Sequence, residues 1–324
     1  MRVLVTGASG SYGRAVAAGL GARGDDVVTF QRRPAGIDRV DERLGDLTDP
    51  ADVIRAVAGC DGVIHLAARV GIVGSYEDFH GPNVTGTELL LRAAQAAGVT
   101  RFVQVSSPSV AHAGEPLVGV GATPADPDGA RGHYARTKAI AERTALAADA
   151  PGFAVIAIRP HLVWGPGDQQ LIGRIVERAR AGRLALIDDG TALIDTTYLD
   201  NAAAATIAAL DRAEHGHGRA FVVSNGEPRT VAEIVARVCR AAGVAGPERH
   251  VPFRVAHAGG RVAEHLWEAF APDAEPPMTG FLAEQLATAH WFDQRETRSV
   301  LAWRPAIGLD EGFERLAAAY ADSV

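Results

Sequence analysis

Lysine, cysteine and long apolar runs are all scarce in this chain of 324 residues, and each shortage narrows what it can be. The two cysteines, Cys60 and Cys239, cannot make a disulfide framework, so they read as buried thiols of a protein kept in a reducing compartment. No stretch is apolar for long enough to span a bilayer. The opening Arg2-Val3-Leu4-Val5-Thr6 has neither the apolar core nor the small-residue cleavage site of a signal peptide, and a cytoplasmic location is expected. Basic runs are equally rare. None exceeds Gln31-Arg32-Arg33 and the formal charge is −7, which leaves no electrostatic footprint for nucleic acid. Thirty-two residues are lysine or arginine, yet only Lys138 is lysine. A chain that uses arginine everywhere else keeps lysine where a compact charge with movable donors is wanted.

What remains is an ordinary globular composition, 47% hydrophobic and 22% charged. β-Branched runs at 3–6, 27–31, 62–65, 102–106 and 155–159 alternate with alanine-rich helical segments, the pattern of a parallel sheet covered on both faces. Asp49-Pro50 reads as the N-cap and first position of a helix over 50–57. Beyond about residue 165 the pattern loosens into helices at 169–181, 201–213, 231–242 and 310–319. The expected architecture is a doubly wound, Rossmann-type α/β domain formed by residues 1–165, with about 188–222 returning to it. A smaller, partly helical substrate lobe is expected from about 166–187 and 223–324.

Thr6-Gly7-Ala8-Ser9-Gly10-Ser11-Tyr12-Gly13 follows the first strand and opens a helix. Glycines there permit a tight turn and a close approach of backbone to a pyrophosphate, which the helix N-terminus attracts. The second strand of such folds usually ends in an acidic residue that holds a ribose 2′-hydroxyl. Here that position is Gln31, followed by Arg32 and Arg33, whose guanidinium forks suit a 2′-phosphate. NADP(H) is therefore favoured, with NAD(H) as the alternative and a solvated turn before Pro34 as the plain reading. Asp46, after the third strand, could accept from an adenine amino group or simply cap a helix.

Tyr134 and Lys138 stand four apart in a helical segment, so both side chains share one face. With five tyrosines and one lysine in 324 residues, chance gives that spacing about five times in 324. A neighbouring ammonium favours a phenolate and should pull the Tyr134 pKa down, making it a proton shuttle. Ser106 and Ser107 end the fifth strand, where a hydroxyl can reach the crevice or cap a turn. His215-x-His217 has ligand-like spacing without a cysteine or carboxylate set, and no metal site is expected. Asp188-Asp189-Gly190 reads as a hairpin turn.

Taken in order, Thr6-Gly7-x-x-Gly10-x-x-Gly13, Asp46-Leu47, His65-Leu66-Ala67-Ala68, Asn83-Val84-x-Gly86-Thr87, Ser106-Ser107, Tyr134-x-x-x-Lys138 and Arg159-Pro160 resemble the extended short-chain dehydrogenase/reductase family across almost the whole chain. Val70 to Phe79, Arg159 to Asp168 and Thr288 to Asp293 further resemble its 3β-hydroxysteroid dehydrogenase branch, and within it the 2-alkyl-3-oxoalkanoate reductases. The resemblance implies that Ser107 polarises a carbonyl, that Lys138 also holds the nicotinamide ribose, and that Asn83 supports the proton relay. It implies that Gly7, Ser9, Gly10, Ser11, Tyr12, Gly13, Asp46, Leu47, Leu66, Ala67 and Ala68 line a cofactor, with Pro160 and Leu162 against its nicotinamide. His65 is then structural. A 3β-hydroxysteroid dehydrogenase, or a nucleotide-sugar epimerase or dehydratase, is the alternative, although Pro108-Ser109 replaces the Asp-Glu that follows a dehydratase hydroxyl. The implied assembly is a homodimer through the helices over 82–97 and 134–148.

Between 251 and 292 stand Phe253, Val255, Val262, Leu266, Trp267, Phe270, Met278, Phe281, Leu282, Leu286, Trp291 and Phe292, which implies a hydrophobic small-molecule substrate. Val255, Val262, Leu266 and Phe270 fall near one helical face, expected to cover the crevice. His161, Trp164 and Arg69 are the candidate substrate residues.

Overall fold

The computed structural model describes residues 1–71, 73–111, 115–270 and 278–322, with backbone alone for 268–270. Seven parallel strands form the main sheet, in the order Ala220–Val223, Ala154–Pro160, Arg101–Val105, Gly62–His65, Arg2–Thr6, Asp26–Gln31, Asp41–Leu44. The central strands are apolar on both faces because helices cover both: Ser11–Ala22 and Leu199–Asp211 on one side, Pro50–Val57, Gly86–Ala96 and Gly132–Ala147 on the other. The strand order reverses at Arg2–Thr6, between Asp26–Gln31 and Gly62–His65. That reversal opens a crevice at the carboxyl edge of the sheet.

Asp49 caps its helix as expected, accepting from the amides of Ala51 and Asp52. Asp41–Leu44 is an edge strand of charged residues, which gives no hydrophobic signal and blunts the edge against pairing. Helix ends differ from expectation by two or three residues at most.

A separate four-stranded sheet is ordered Arg229–Thr230, Leu193–Ile194, His290–Phe292, Leu117–Val120. The Asp188 to Gly190 segment is a turn, closed by Gly190 N–H on the Ile187 carbonyl at 3.0 Å. It is not a hairpin. The strand before it, Ala185–Ile187, pairs with Arg249–Val251, whereas Leu193–Ile194 pairs elsewhere. Helix Phe253–Phe270 packs on Gly280–Ala287 so closely that a Cβ on Gly260 would lie 2.5 Å from Thr279. Its apolar stripe is a correction to the sequence reading: Val255, Val262 and Leu266 face solvent, and Ala256 turns inward onto Ile187 and Ala283 instead. The Phe270 side chain lies outside the described residues. Among the described residues, no helix is long and apolar enough to cross a membrane.

Candidate active site

The chain leaves its first strand at Thr6 and turns through Gly7 at φ 76° into helix Ser11–Ala22. A Cβ on Gly7 would come within 2.9 Å of the Ala67 backbone, and one on Gly13 within 2.4 Å of the Gly7 carbonyl. The fold itself demands both glycines. Gly10 is different, because a Cβ there would meet nothing nearer than the Gly7 carbonyl at 3.7 Å. It is the helix N-cap, and no side chain caps the orphan amides. A bare N-terminus at the crevice, with Ser9, Gly10 and Ser11 exposed around it, is a seat for a pyrophosphate. The Tyr12 ring turns away, placing its hydroxyl 2.6 Å from Thr206 Oγ1, so only its backbone N–H belongs to this seat.

Further along the crevice Gln31 is buried, and its Nε2 donates to Glu42 Oε1 at 3.1 Å. The same oxygen accepts from Ala35 N at 2.7 Å, so Glu42 braces the loop that follows the second strand. Arg32 and Arg33 stand exposed on that loop, with no hydrogen bond or ion pair of either guanidinium among the described residues. Arg14 Nη1 reaches the Gly36 carbonyl at 3.4 Å, bringing a third guanidinium to the same loop. Sequence reading missed Arg14 and Glu42; the signal for Arg14 was its place one turn beyond Gly10. Asp46 Oδ1 accepts from the amide and hydroxyl of Thr48 at 2.8 and 2.7 Å. Those bonds, with the Arg32 charge, hold its carboxyl below the usual range. Leu47 packs beneath Gly86, where a Cβ would meet it at 3.0 Å. Leu66, Ala67 and Ala68 lie half-buried between the glycine turn and the catalytic end.

At that end the register of Val105 beside Ile158 sets Ser107 next to Pro160 on the neighbouring strand. Tyr134, in the first turn of helix Gly132–Ala147, stands close enough to the Ser107 hydroxyl for it to favour the phenolate, and that hydroxyl accepts from Ser109 Oγ at 3.0 Å. One turn on, Lys138 is 3% exposed and its Nζ donates to the Val105 carbonyl at 2.6 Å. The structure thus gathers Ser107, Tyr134 and Lys138 at the carboxyl edge. Their protons do not follow the sequence expectation. Burial pushes the Tyr134 phenol up to about 12, against the Ser107 hydroxyl, and burial brings Lys138 down to about 8. Burial therefore favours the protonated phenol.

Asn83 lies in the π-helical segment Gly81–Thr85. Its Oδ1 accepts from Arg69 N at 2.7 Å, and its Nδ2 donates to the Arg69 carbonyl and to Thr137 Oγ1 at 3.1 and 3.0 Å. The carboxamide is a brace between the crevice loop and the tyrosine helix. His65 belongs to a directed relay: Thr6 hydroxyl to His65 Nδ1 at 2.8 Å, His65 Nε2–H to Thr87 Oγ1 at 3.0 Å, Thr87 hydroxyl to the Asn83 carbonyl at 2.6 Å. Its tautomer follows from the Thr87 hydroxyl, whose one proton goes to the Asn83 carbonyl, so that Nε2 must donate and Nδ1 accepts. Burial and the Lys138 charge bring the imidazole down to about 3, so it is neutral and structural.

Of the proposed substrate residues, the structure moves two. Trp164 is 1% exposed, stacks on Phe313 at 4.5 Å and donates to Thr196 Oγ1, so it belongs to a buried core with Tyr198 and Phe313. His161 is buried, with Nδ1 2.5 Å from the Asp195 carbonyl and its ring edge-on to Phe292, joining the main sheet to the second one. An indole and an imidazole beside a Pro are as well suited to bridging two sheets as to meeting a ligand, and sequence does not separate these. Arg69 remains exposed, set over the Phe79 ring and 3.9 Å from Asp78. His217 pairs with Asp149 at 2.8 Å.

The bare helix end, the open space at Gly10 and the three guanidinium groups fit a nicotinamide dinucleotide.

Comparison with known proteins agrees with this geometry. Residues 3–224 match the model of the NAD dependent epimerase/dehydratase family. The chain is 42% identical to a 2-alkyl-3-oxoalkanoate reductase of Stenotrophomonas maltophilia, over 99% of this chain and 100% of that protein. A 2-alkyl-3-oxoalkanoate reductase of Shewanella oneidensis is 34% identical over 97% of this chain and 85% of its own. Among solved structures, MoeE5 in complex with UDP-glucose and NAD superposes with a TM-score of 0.77 at 26% identity, covering 100% of this chain and 99% of that one. With the strand order, the glycine turn and the serine–tyrosine–lysine cluster already in place, the chain is a member of the NAD dependent epimerase/dehydratase family, an NAD(P)-dependent enzyme of the extended short-chain dehydrogenase/reductase type.

Proposed function

We propose that this enzyme reduces the ketone of a hydrophobic 2-alkyl-3-oxoalkanoate, a β-keto acid, to a hydroxyl at the expense of NADPH. The observation that carries the reading is the meeting of Ser107, Tyr134 and Lys138 at the crevice. The named activity of the relative at 42% identity supports the substrate class. Bound nicotinamide would supply the hydride. Ser107 would hold the ketone oxygen, Tyr134 would give it the proton that completes the alcohol, and the Lys138 ammonium would ease that transfer by opposing the negative charge left on the phenol. Arg69 is the candidate for the substrate carboxylate, by its exposure beside the Asn83 brace. Arg32 and Arg33 would hold the 2′-phosphate of NADP(H), with Arg14 beside them.

The test is NADPH oxidation against a chain-length series of 2-alkyl-3-oxo acids, with ketosteroids and UDP-sugars alongside. Each buried methylene contributes roughly 0.8 kcal/mol, so kcat/KM should climb about fourfold per methylene until the crevice is filled. A flat response, or preference for a UDP-sugar, would overturn the reading. For the cofactor, Arg32→Asp should lower the NADPH-to-NADH affinity ratio by about tenfold or more, as loss of one charge-assisted phosphate contact implies. An unchanged ratio of dissociation constants would remove Arg32 from that role. The same reading places a dinucleotide domain over 1–165 with 188–222, and a substrate lobe over 166–187 and 223–324. It includes a cytoplasmic homodimer, which sedimentation would check.

A further inference from the structure

Helix Phe253–Phe270 packs one face on Gly280–Ala287 and shows solvent another, and the solvent face carries two ordered stripes. Val255, Val262 and Leu266 are 61%, 60% and 47% exposed. On a helix of 3.6 residues per turn they fall within about 40° of one another, with the exposed Ala258 and Gly259 between them in sequence and beside them on the surface. Arg254, Arg261 and His265, all exposed, form the second stripe, again within about 40° and turned about 100° from the first. His265 Nδ1 donates to the Arg261 carbonyl at 2.8 Å, which keeps the ring beside that arginine.

The charge of this face is one-sided. Neither Arg254 nor Arg261 has an ion pair among the described residues. Glu264, the acidic side chain described on this helix, is turned the other way, its Oε1 accepting from Gly280 N at 3.0 Å. An apolar stripe with a cationic border is thus set on a chain whose formal charge is −7. Three exposed apolar side chains fall short of the roughly 800 Å² per partner that a stable pairing of copies buries. They do suit a bilayer surface, where an apolar stripe enters the boundary between headgroups and acyl chains and guanidinium forks meet lipid phosphates. Arginine stems reach that level while lying along the apolar surface.

We infer that this face of helix Phe253–Phe270 is a reversible docking surface for an anionic lipid bilayer, with Val255, Val262 and Leu266 as its apolar contact and Arg254 and Arg261 on lipid phosphates. The assignment is independent of the reaction proposed above.

The test is co-sedimentation of the full chain with vesicles of equal parts phosphatidylglycerol and phosphatidylcholine, and with vesicles of phosphatidylcholine alone. Wild type should partition at least about tenfold more tightly to the anionic vesicles, and less so as salt rises, since each arginine at such a surface is worth about fivefold. Arg254→Gln with Arg261→Gln should remove most of that preference. Val255→Gln, Val262→Gln and Leu266→Gln together should weaken partition by about tenfold or more, while glutamine preserves helix propensity. Melting temperature and the NADPH dissociation constant should hold in both variants, because every altered side chain faces solvent. Should the triple variant not fold, Val262→Gln alone should still cost about threefold. Wild type that stays in solution with both vesicles, or partition that these variants leave unaltered, would overturn the assignment. So would a concentration-dependent mass in vesicle-free sedimentation that the same variants abolish, which would make the face a contact between protein chains.

Discussion

Tyr134 and Lys138 share one face of one helix, yet burial moves their protons in opposite directions, the phenol up to about 12 and the ammonium down to about 8. Two predictions belong to these residues. Tyr134→Phe removes the proton donor and little volume, so folding and NADPH affinity should persist while ketone reduction falls by about a hundredfold or more, measured as single-turnover NADPH oxidation. The second follows from Lys138 losing its charge as pH rises through about 8. For reduction, kcat/KM should be level below that value and decline above it. Tyr134 keeps its proton throughout this range, so the falling limb is the lysine's, and Lys138→Arg should displace it upward. A limb unmoved in the arginine variant would assign it to another group. The pair was legible in sequence because an i, i+4 spacing survives any tertiary context. Trp164 was not, since an indole after a proline reads the same whether it meets a ligand or Phe313.

One level up, helix Gly132–Ala147 is bound to strand Ala154–Pro160 by a buried ion pair. Arg159 Nε and Nη2 donate to Glu142 at 2.8 and 2.5 Å, and Nη1 donates to the Thr123 carbonyl at 2.7 Å. Glu142 is one turn beyond Lys138, so this clamp fixes the helix that presents both proposed catalytic groups. Removing one partner leaves the other charged and unpaired. Glu142→Ala should cost about 3 to 5 kcal/mol in denaturant unfolding, and Glu142→Leu with Arg159→Met should recover most of it. If the single and double variants are equally unstable, the clamp acts by shape and not by charge. Strands of the central sheet were readable from their apolar runs because they are buried on both faces. The edge strand Asp41–Leu44 and the two- and three-residue strands of the second sheet were not. They are too short or too charged to carry a period, and pairing with distant chain makes them strands.

For the whole molecule, the chain passes repeatedly between the two sheets: Leu117–Val120 pairs in the second sheet, Ala154–Pro160 returns to the first, and Ala220–Val223 returns again after Leu193–Ile194. Such interleaving predicts a single cooperative melt, raised by NADPH as a unit, with differential scanning calorimetry as the check. Two separable transitions would refute it. Acid should weaken the entire fold. His65 titrates near 3 when folded and near 6.5 when unfolded, so the unfolded chain binds more protons across that interval. Its contribution is complete above 6.5 and is lost as pH falls toward 3. Asp195, raised to about 6 by burial, opposes this between about 4 and 6, because the folded state then holds the extra proton. His65→Asn should flatten the melting temperature against pH below 6.5, whatever its starting stability.

The lone lysine also makes the protein an unusual target for amine chemistry. Apart from the N-terminus, an acylating or aldehyde reagent has one amine to find, and that amine is buried at the candidate active site, its pKa brought down to about 8 by burial. Labelling would therefore report directly on access to the crevice. Mass added at Lys138 should track loss of activity one for one, and a ligand seated over Ser107 and Tyr134 should suppress both together.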